Sequence, residues 1–354
     1  MAKQRDYGID LARAVAITLV LAVHSFLYNG YYNEPLEGIG MAVSTILRMA
    51  FISAVPLFLI LTGYLCVGRR WSKGYYRKLL PVLLTYLLAA AACLAFRVLW
   101  LKEDISLLGM IRRVLDFSAA PYGWYVEMYI GLFLLMPFLN LVWHALEEQG
   151  KKVLLVTLLV MTALPPLVNL YQQILPDWWT GIYPLTYYAL GAWLREHPVT
   201  AKRRWLLLGW IAAAAAAGMV QYAVQQRLFP GQPYYGGSYN YRASLLTLVQ
   251  TVCLFSLLRQ FDGSRTPAPI HWCVDRVAKL TLPIHLLSYM TDMLIYPVLC
   301  AHVPTVNARV ICLPLMAAVN LVITGLAAWV VDWIVNAIIK RIPGGKKEPV
   351  PCGK

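Results

Sequence analysis

An arginine and a histidine share an apolar stretch near the N-terminus, RDYGIDLARAVAITLVLAVH at 5–24. Arg13 and His24 are eleven positions apart. Eleven steps of 100° return a helix to within about 20° of its starting direction, so both project from one face, about 16 Å apart along the axis. Asp10 and Asp6 precede Arg13 by three and seven positions and fall near that face. The chemistry of such a set is definite. A guanidinium fork suits phosphate oxygens, an imidazole of near-neutral pKa suits activation of an alcohol, and a carboxylate beside an arginine orients it. Two plainer roles compete: Arg13 snorkelling to the inner interface, and His24 donating to a neighbouring helix. Registry on one face weighs against both, because a lipid-facing residue needs none.

The stretch that carries these residues is one of many. The chain is 60% hydrophobic and 14% charged over 354 residues, with a mean hydropathy of +0.59. A soluble chain is typically about 45–50% apolar and about 25% charged, so the composition belongs to the bilayer. Apolar runs recur at 8–29, 42–66, 79–100, 124–143, 153–170, 181–194, 205–224, 243–261, 277–299 and 309–339. The expected fold is all-α and polytopic, with about ten transmembrane helices. One transmembrane domain is expected over 1–342, followed by a short basic tail at 343–354. The run at 181–194 is short, 153–170 contains Pro165 and Pro166, and the last is long enough to tilt. The first run carries Arg13 and His24 and lacks an early small-residue cleavage site, so it is expected to be retained as a span.

The charge of +14 recurs in loops and is not pooled on one surface, which argues against nucleic acid. With the N-terminus inside, the inner segments hold 22 of the Lys and Arg residues and the outer loops 6. That asymmetry places both termini in the cytoplasm. The seven cysteines form no CxxC pair and mostly sit in apolar runs, so neither a zinc site nor a disulfide framework is expected. The loops at 28–41, 171–181 and 228–241 collect Tyr and Trp. These rings suit an interfacial belt, and the tyrosines at 234–241 could also stack on sugars.

The motifs resemble those of the integral-membrane acyltransferase 3 family of bacterial O-acyltransferases. Asp10, Arg13 and His24 match its Asp-x-x-Arg and Arg-x(10)-His on the first helix. FLILTGY at 58–64 matches Phe-x-x-x-Ser-Gly-aromatic, with Thr62 at the Ser position. Arg77 and Pro81 match Arg-x(3)-Pro. GWYVEMYIGLFLLMPFL supplies the Trp-aromatic entry, Trp124 and Tyr125, with Gly131 and Pro137 further on. TYYALGAWL is similar to the sixth-span segment. LPIH at 282–285 keeps Ile284 and His285 of a Tyr-Leu-Ile-His signature but has Leu282 at the Tyr position.

The resemblance covers nearly the whole chain and implies transfer of a short acyl group, usually acetyl, from acyl-CoA to a hydroxyl of a cell-surface carbohydrate or similar exported acceptor. No permanently bound cofactor and no metal are implied. The setting is the bacterial inner membrane. Arg13, with Arg77, would bind donor phosphate; Asp10 would orient Arg13. His24 would act as general base or carry the acyl group transiently. Trp124, Tyr125, Glu127 and His285 are the candidate substrate contacts. The same polar stripe could line a pathway, so a transporter or exporter of a glycan or amino acid is the competing reading. A sensor or anchored partner module is disfavoured by the absence of an appended soluble domain. Arg48 is expected to snorkel near the outer interface, and Arg97 and Asp292 are expected to be structural ion-pair members.

Overall fold

The computed structural model describes residues 6–234, 236 and 242–342. The basic tail and most of the tyrosine cluster at 234–241 lie outside the described residues. Helix α1 (Tyr7–Tyr28) starts at Asp6, whose side chain accepts the Ile9 amide. Helices α2 (Gly38–Phe51) and α3 (Ala54–Cys66) form one crossing, interrupted at Ile52–Ser53. Pro56 sits in the first turn of α3, where a missing N–H leaves no bond unmade. Helix α4 (Leu80–Leu99) is followed by the short α5 (Leu107–Leu115), then α6 (Trp124–Ala145) and α7 (Glu148–Val168). Next come α8 (Tyr183–Glu196), α9 (Arg203–Leu228) and α10 (Leu245–Arg259). The short α11 (Ala268–Lys279) precedes α12 (Thr281–His302), α13 (Val306–Ile311) and α14 (Leu313–Arg341).

Each of the ten apolar runs coincides with a helix or a broken helix pair. Among the described residues, eight such units are long and apolar enough to cross a membrane. The other two runs are α8 and α10, with 14 and 15 residues, short of the about 20 that lipid requires. Their surroundings explain the shortness. Nine residues of α8 and eight of α10 are buried, so protein satisfies what lipid could not. The run expected from 277 breaks at Leu280, where α11 ends and α12 begins. Helix α5 has Leu107, Leu108, Ile111 and Leu115 exposed together beside Arg112 and Arg113, the pattern of an interfacial helix.

Helix α1 is the hub, packing against α2, α3, α10, α11, α12 and α14. Helices α3 and α8 approach more closely than side chains would permit. A Cβ on Gly63 would strike the Tyr188 carbonyl, and one on Gly191 would strike the Ile60 carbonyl. Small residues let membrane helices meet backbone to backbone where no hydrophobic drive between helices exists.

Arg48 and Asp292 depart from expectation, whereas Arg97 forms the structural ion pair expected of it. Arg48 does not snorkel. It is 8% exposed, donates from Nε to the Tyr32 hydroxyl at 2.7 Å, and its guanidinium lies 4.8 Å from the Tyr234 ring centre. A phenol oxygen and aromatic faces inside the protein replace the interface. Arg97 and Asp292 belong to separate networks. Arg97 grips Glu103 at 2.9 Å and 2.7 Å, which holds the Glu103 carboxyl below the usual carboxylate range. Asp292 is bound by Tyr122 and Asn320 instead.

The reciprocal glycine contact yields a stability test. Gly63→Ala and Gly191→Ala each push two backbones apart and should cost about 1–3 kcal/mol, seen as a lower melting temperature of the detergent-solubilised protein. Gly131→Ala, with nothing within 4 Å of its Cβ position, should melt like the parent.

Candidate active site

Arg13 and Asp10 form the inner part of the site. The Arg13 guanidinium meets the Asp10 carboxylate at 3.0 Å within α1, and Asp10 is 5% exposed. The carboxylate therefore fixes the direction of the cation, at i and i+3 on one face. Asp6 leaves that set. It caps α1 and binds Arg259 of α10 through both oxygens at 2.6 Å.

Arg13 lies on the wall of a cavity of about 240 Å³. Five helices contribute. Arg13 and Val20 come from α1, Val55 and Phe58 from α3, Val82 from α4, Tyr125, Val126 and Tyr129 from α6, and Thr281, Leu282 and His285 from α12. Arg13 and Val20 are seven residues apart, so the cavity follows α1 for about 10 Å. Its walls are mainly aliphatic and aromatic, with few polar groups, the usual build of a small-molecule site.

His285 faces this space with a defined tautomer. Its Nε2 lies 3.1 Å from the Tyr122 carbonyl oxygen. A carbonyl can only accept, so Nε2 carries the proton and Nδ1 of the neutral ring holds a lone pair. That Nδ1 is buried and has no hydrogen-bond partner; neither has Nδ1 of His24. The two rings are 5.7 Å apart, centre to centre, and His24 stacks on Tyr122 at 3.8 Å. An unsatisfied buried polar atom costs about 1–3 kcal/mol. The two rings that carry these atoms adjoin, and one of the rings lines the cavity.

The expected residues divide accordingly. Arg13, Tyr125 and His285 line the cavity. His24 is not on the wall but stands behind it, in ring contact with His285 and Tyr122. Glu127 is exposed, because two residues beyond Tyr125 a helix has turned by 200° to its other side. Trp124 lies 4.2 Å beneath the Arg242 guanidinium, off the cavity wall. Arg77 is exposed in the turn Tyr76–Leu79, just ahead of the helix that supplies Val82. Tyr122, Phe58, Thr281 and Leu282 belong to the site without having been singled out for it. Thr281 was within reach of sequence reasoning, four positions before His285 on one helix face. Tyr122 was not, since it sits in a turn and has no periodicity to betray it.

Among the described residues, no three His, Cys, Asp or Glu side chains are grouped to hold a metal ion. Of the tyrosine cluster, Tyr234 is described and packs against Tyr31 and Tyr32.

A family model described as an acyltransferase domain, of the acyltransferase 3 type, matches residues 6–331. Over 68 residues the chain is 37% identical to an amino-acid racemase of Enterococcus faecalis; that stretch is 19% of this chain and 8% of the racemase. The match thus spans under a tenth of that relative's length. No solved structure matches the chain. The family match runs from the cap of α1 into α14, across every helix that lines the cavity, and on that ground this multi-pass membrane protein belongs to the acyltransferase 3 family.

Proposed function

We propose that the protein moves a short acyl group, most simply acetyl, from acyl-CoA to a hydroxyl of a cell-surface carbohydrate or related exported acceptor. It does so in the bacterial inner membrane, with both termini in the cytoplasm. The observation that carries this reading is a cavity bordered by both Arg13 and His285, with the unpartnered Nδ1 of His285 available on the ring that lines it. A phosphorylated thioester needs a cation for its charge and a base beside its carbonyl, and the cavity offers both. The loop distribution of Lys and Arg supports the orientation.

In the proposed reaction the acceptor hydroxyl enters next to the paired imidazoles. Nδ1 of His285 takes its proton, with His24 as the adjoining ring that stabilises the charge or accepts the proton in turn. The freed oxygen attacks the thioester carbonyl carbon, the C–S bond breaks, and the thiolate of CoA receives the proton from the imidazolium. An ester and free CoA result, and both histidines are neutral again. Arg13, aimed by Asp10, binds donor phosphate. Arg77 lies on the exposed basic segment 69–78 and gathers the same anion before entry. Aliphatic walls exclude water, which would otherwise compete with the acceptor for the acyl group.

His24→Ala and His285→Ala should each cut acetyl-CoA-dependent labelling of native membranes by at least about a hundredfold, while expression and elution of the purified protein stay unchanged. Glycan mass spectrometry of cells with and without the gene should show loss of one acetyl increment per modified sugar. Transport of a polar solute that persists with no acyl-CoA consumed would overturn the enzymatic reading. Arg13→Ala removes a charge-assisted contact worth about 1.5–3 kcal/mol. The KM for acetyl-CoA should then rise by roughly ten- to a hundredfold, and an unchanged KM would remove Arg13 from the donor site.

A further inference from the structure

One buried carboxylate is left over by the proposed chemistry. Asp292 has no solvent exposure, and a charge inside a membrane protein is costly unless it is held. Its Oδ1 accepts from the Asn320 amide at 2.6 Å and its Oδ2 from the Tyr122 hydroxyl at 2.7 Å. Asn320 is itself fixed, accepting from Thr324, whose hydroxyl meets that of Thr291 at 2.9 Å. No cation is hydrogen-bonded to this carboxylate among the described residues. Its organised partner is a phenol.

Asp292 is seven residues beyond His285 on α12, two turns along the same face. Tyr122 spans that interval and is bound at both ends. Its backbone carbonyl receives the His285 Nε2–H, and its hydroxyl donates to Asp292. The ring between these ends is the surface on which His24 stacks at 3.8 Å. The turn that delivers Tyr122 is itself pinned: Ser118 donates from both amide and hydroxyl to Asp116, Phe117 adopts a φ of +60°, and a Cβ on Gly123 would strike the Phe117 carbonyl.

We propose that Tyr122 is the positioning residue of the two-histidine site, with Asp292 acting through it. Tied to α12 at its backbone carbonyl and its hydroxyl, the residue holds one imidazole by the carbonyl's hydrogen bond and the other by its ring face, and so fixes both relative to the cavity. This rests on the acyl-transfer reading. Tyr122 is not on the cavity wall. Its contribution is geometry, and misplacement of catalytic groups by about 1 Å can cost up to a hundredfold.

The test uses purified full-length protein, radiolabelled acetyl-CoA, and native membranes as the acceptor source. Tyr122→Phe keeps the ring and the carbonyl but releases the Asp292 end. Its kcat should fall about tenfold with KM for acetyl-CoA within twofold of the parent. Asp292→Asn should show the same split, and the double variant should be no worse than the weaker single one. Parental kcat in Tyr122→Phe, a KM rise without kcat loss, or losses that multiply in the double variant would each overturn the proposal. Should Asp292→Asn elute as aggregate, Tyr122→Phe decides alone, since it adds no bulk and leaves the backbone contact intact. Parent protein that labels nothing would instead sink the acyl-transfer reading itself, which keeps the two failures apart.

Discussion

Inside a bilayer, a polar group that finds no partner in the protein has none at all, and the site is assembled under that constraint. Arg13 answers with Asp10, Arg97 with Glu103, Arg48 with Tyr32, and Asp292 with Tyr122 and Asn320. Against this record the two bare Nδ1 atoms of His24 and His285 stand out. Among the described residues Arg69 Nε, Trp210 Nε1 and the side-chain amide of Gln250 are also buried without a hydrogen bond; the two imidazole atoms differ in belonging to adjoining rings, one of which lines the cavity. In the proposed acyl transfer, the partner that reaches them is the acceptor hydroxyl.

The same constraint shapes the scaffold. Helices α8 and α10 are too short to face lipid along a full crossing, yet they are stable because neighbours cover them. Backbone contact at Gly63 and Gly191 locks α3 to α8, and α3 in turn brings Val55 and Phe58 to the cavity. The glycines of FLILTGY and TYYALGAWL are thus packing residues whose effect on the site passes through helix position. Arg13, by contrast, lies at the wall itself.

Aromatic rings do two jobs in this protein. At the edges they shield cations, as Tyr234 does for Arg48 and Trp124 for Arg242. In the centre they orient imidazoles, with Tyr122 stacked on His24 and Tyr125 edge-on to His285 at 5.5 Å. The difference lies in what each ring can hold: a flat face attracts a guanidinium or stacks on imidazole, while a phenol hydroxyl and a backbone carbonyl add direction.

Sequence by itself determined the fold class, the ten apolar segments, and the register of Arg13 with Asp10, because hydropathy and helical period are local properties read along one chain. It also brought out His24 and His285 as imidazoles inside apolar runs. Which of them faces the cavity was decided only by packing: His285 lines it, and His24, though aligned with Arg13 on α1, stands behind a ring from another segment. Asp6 shared the stripe by periodicity but was drawn away by Arg259, 253 residues distant. Tyr122 and Asp292, separated by 170 residues, became one unit through a single hydrogen bond. Period and composition report the faces a helix offers, whereas the partner that meets each face depends on how distant helices are brought together.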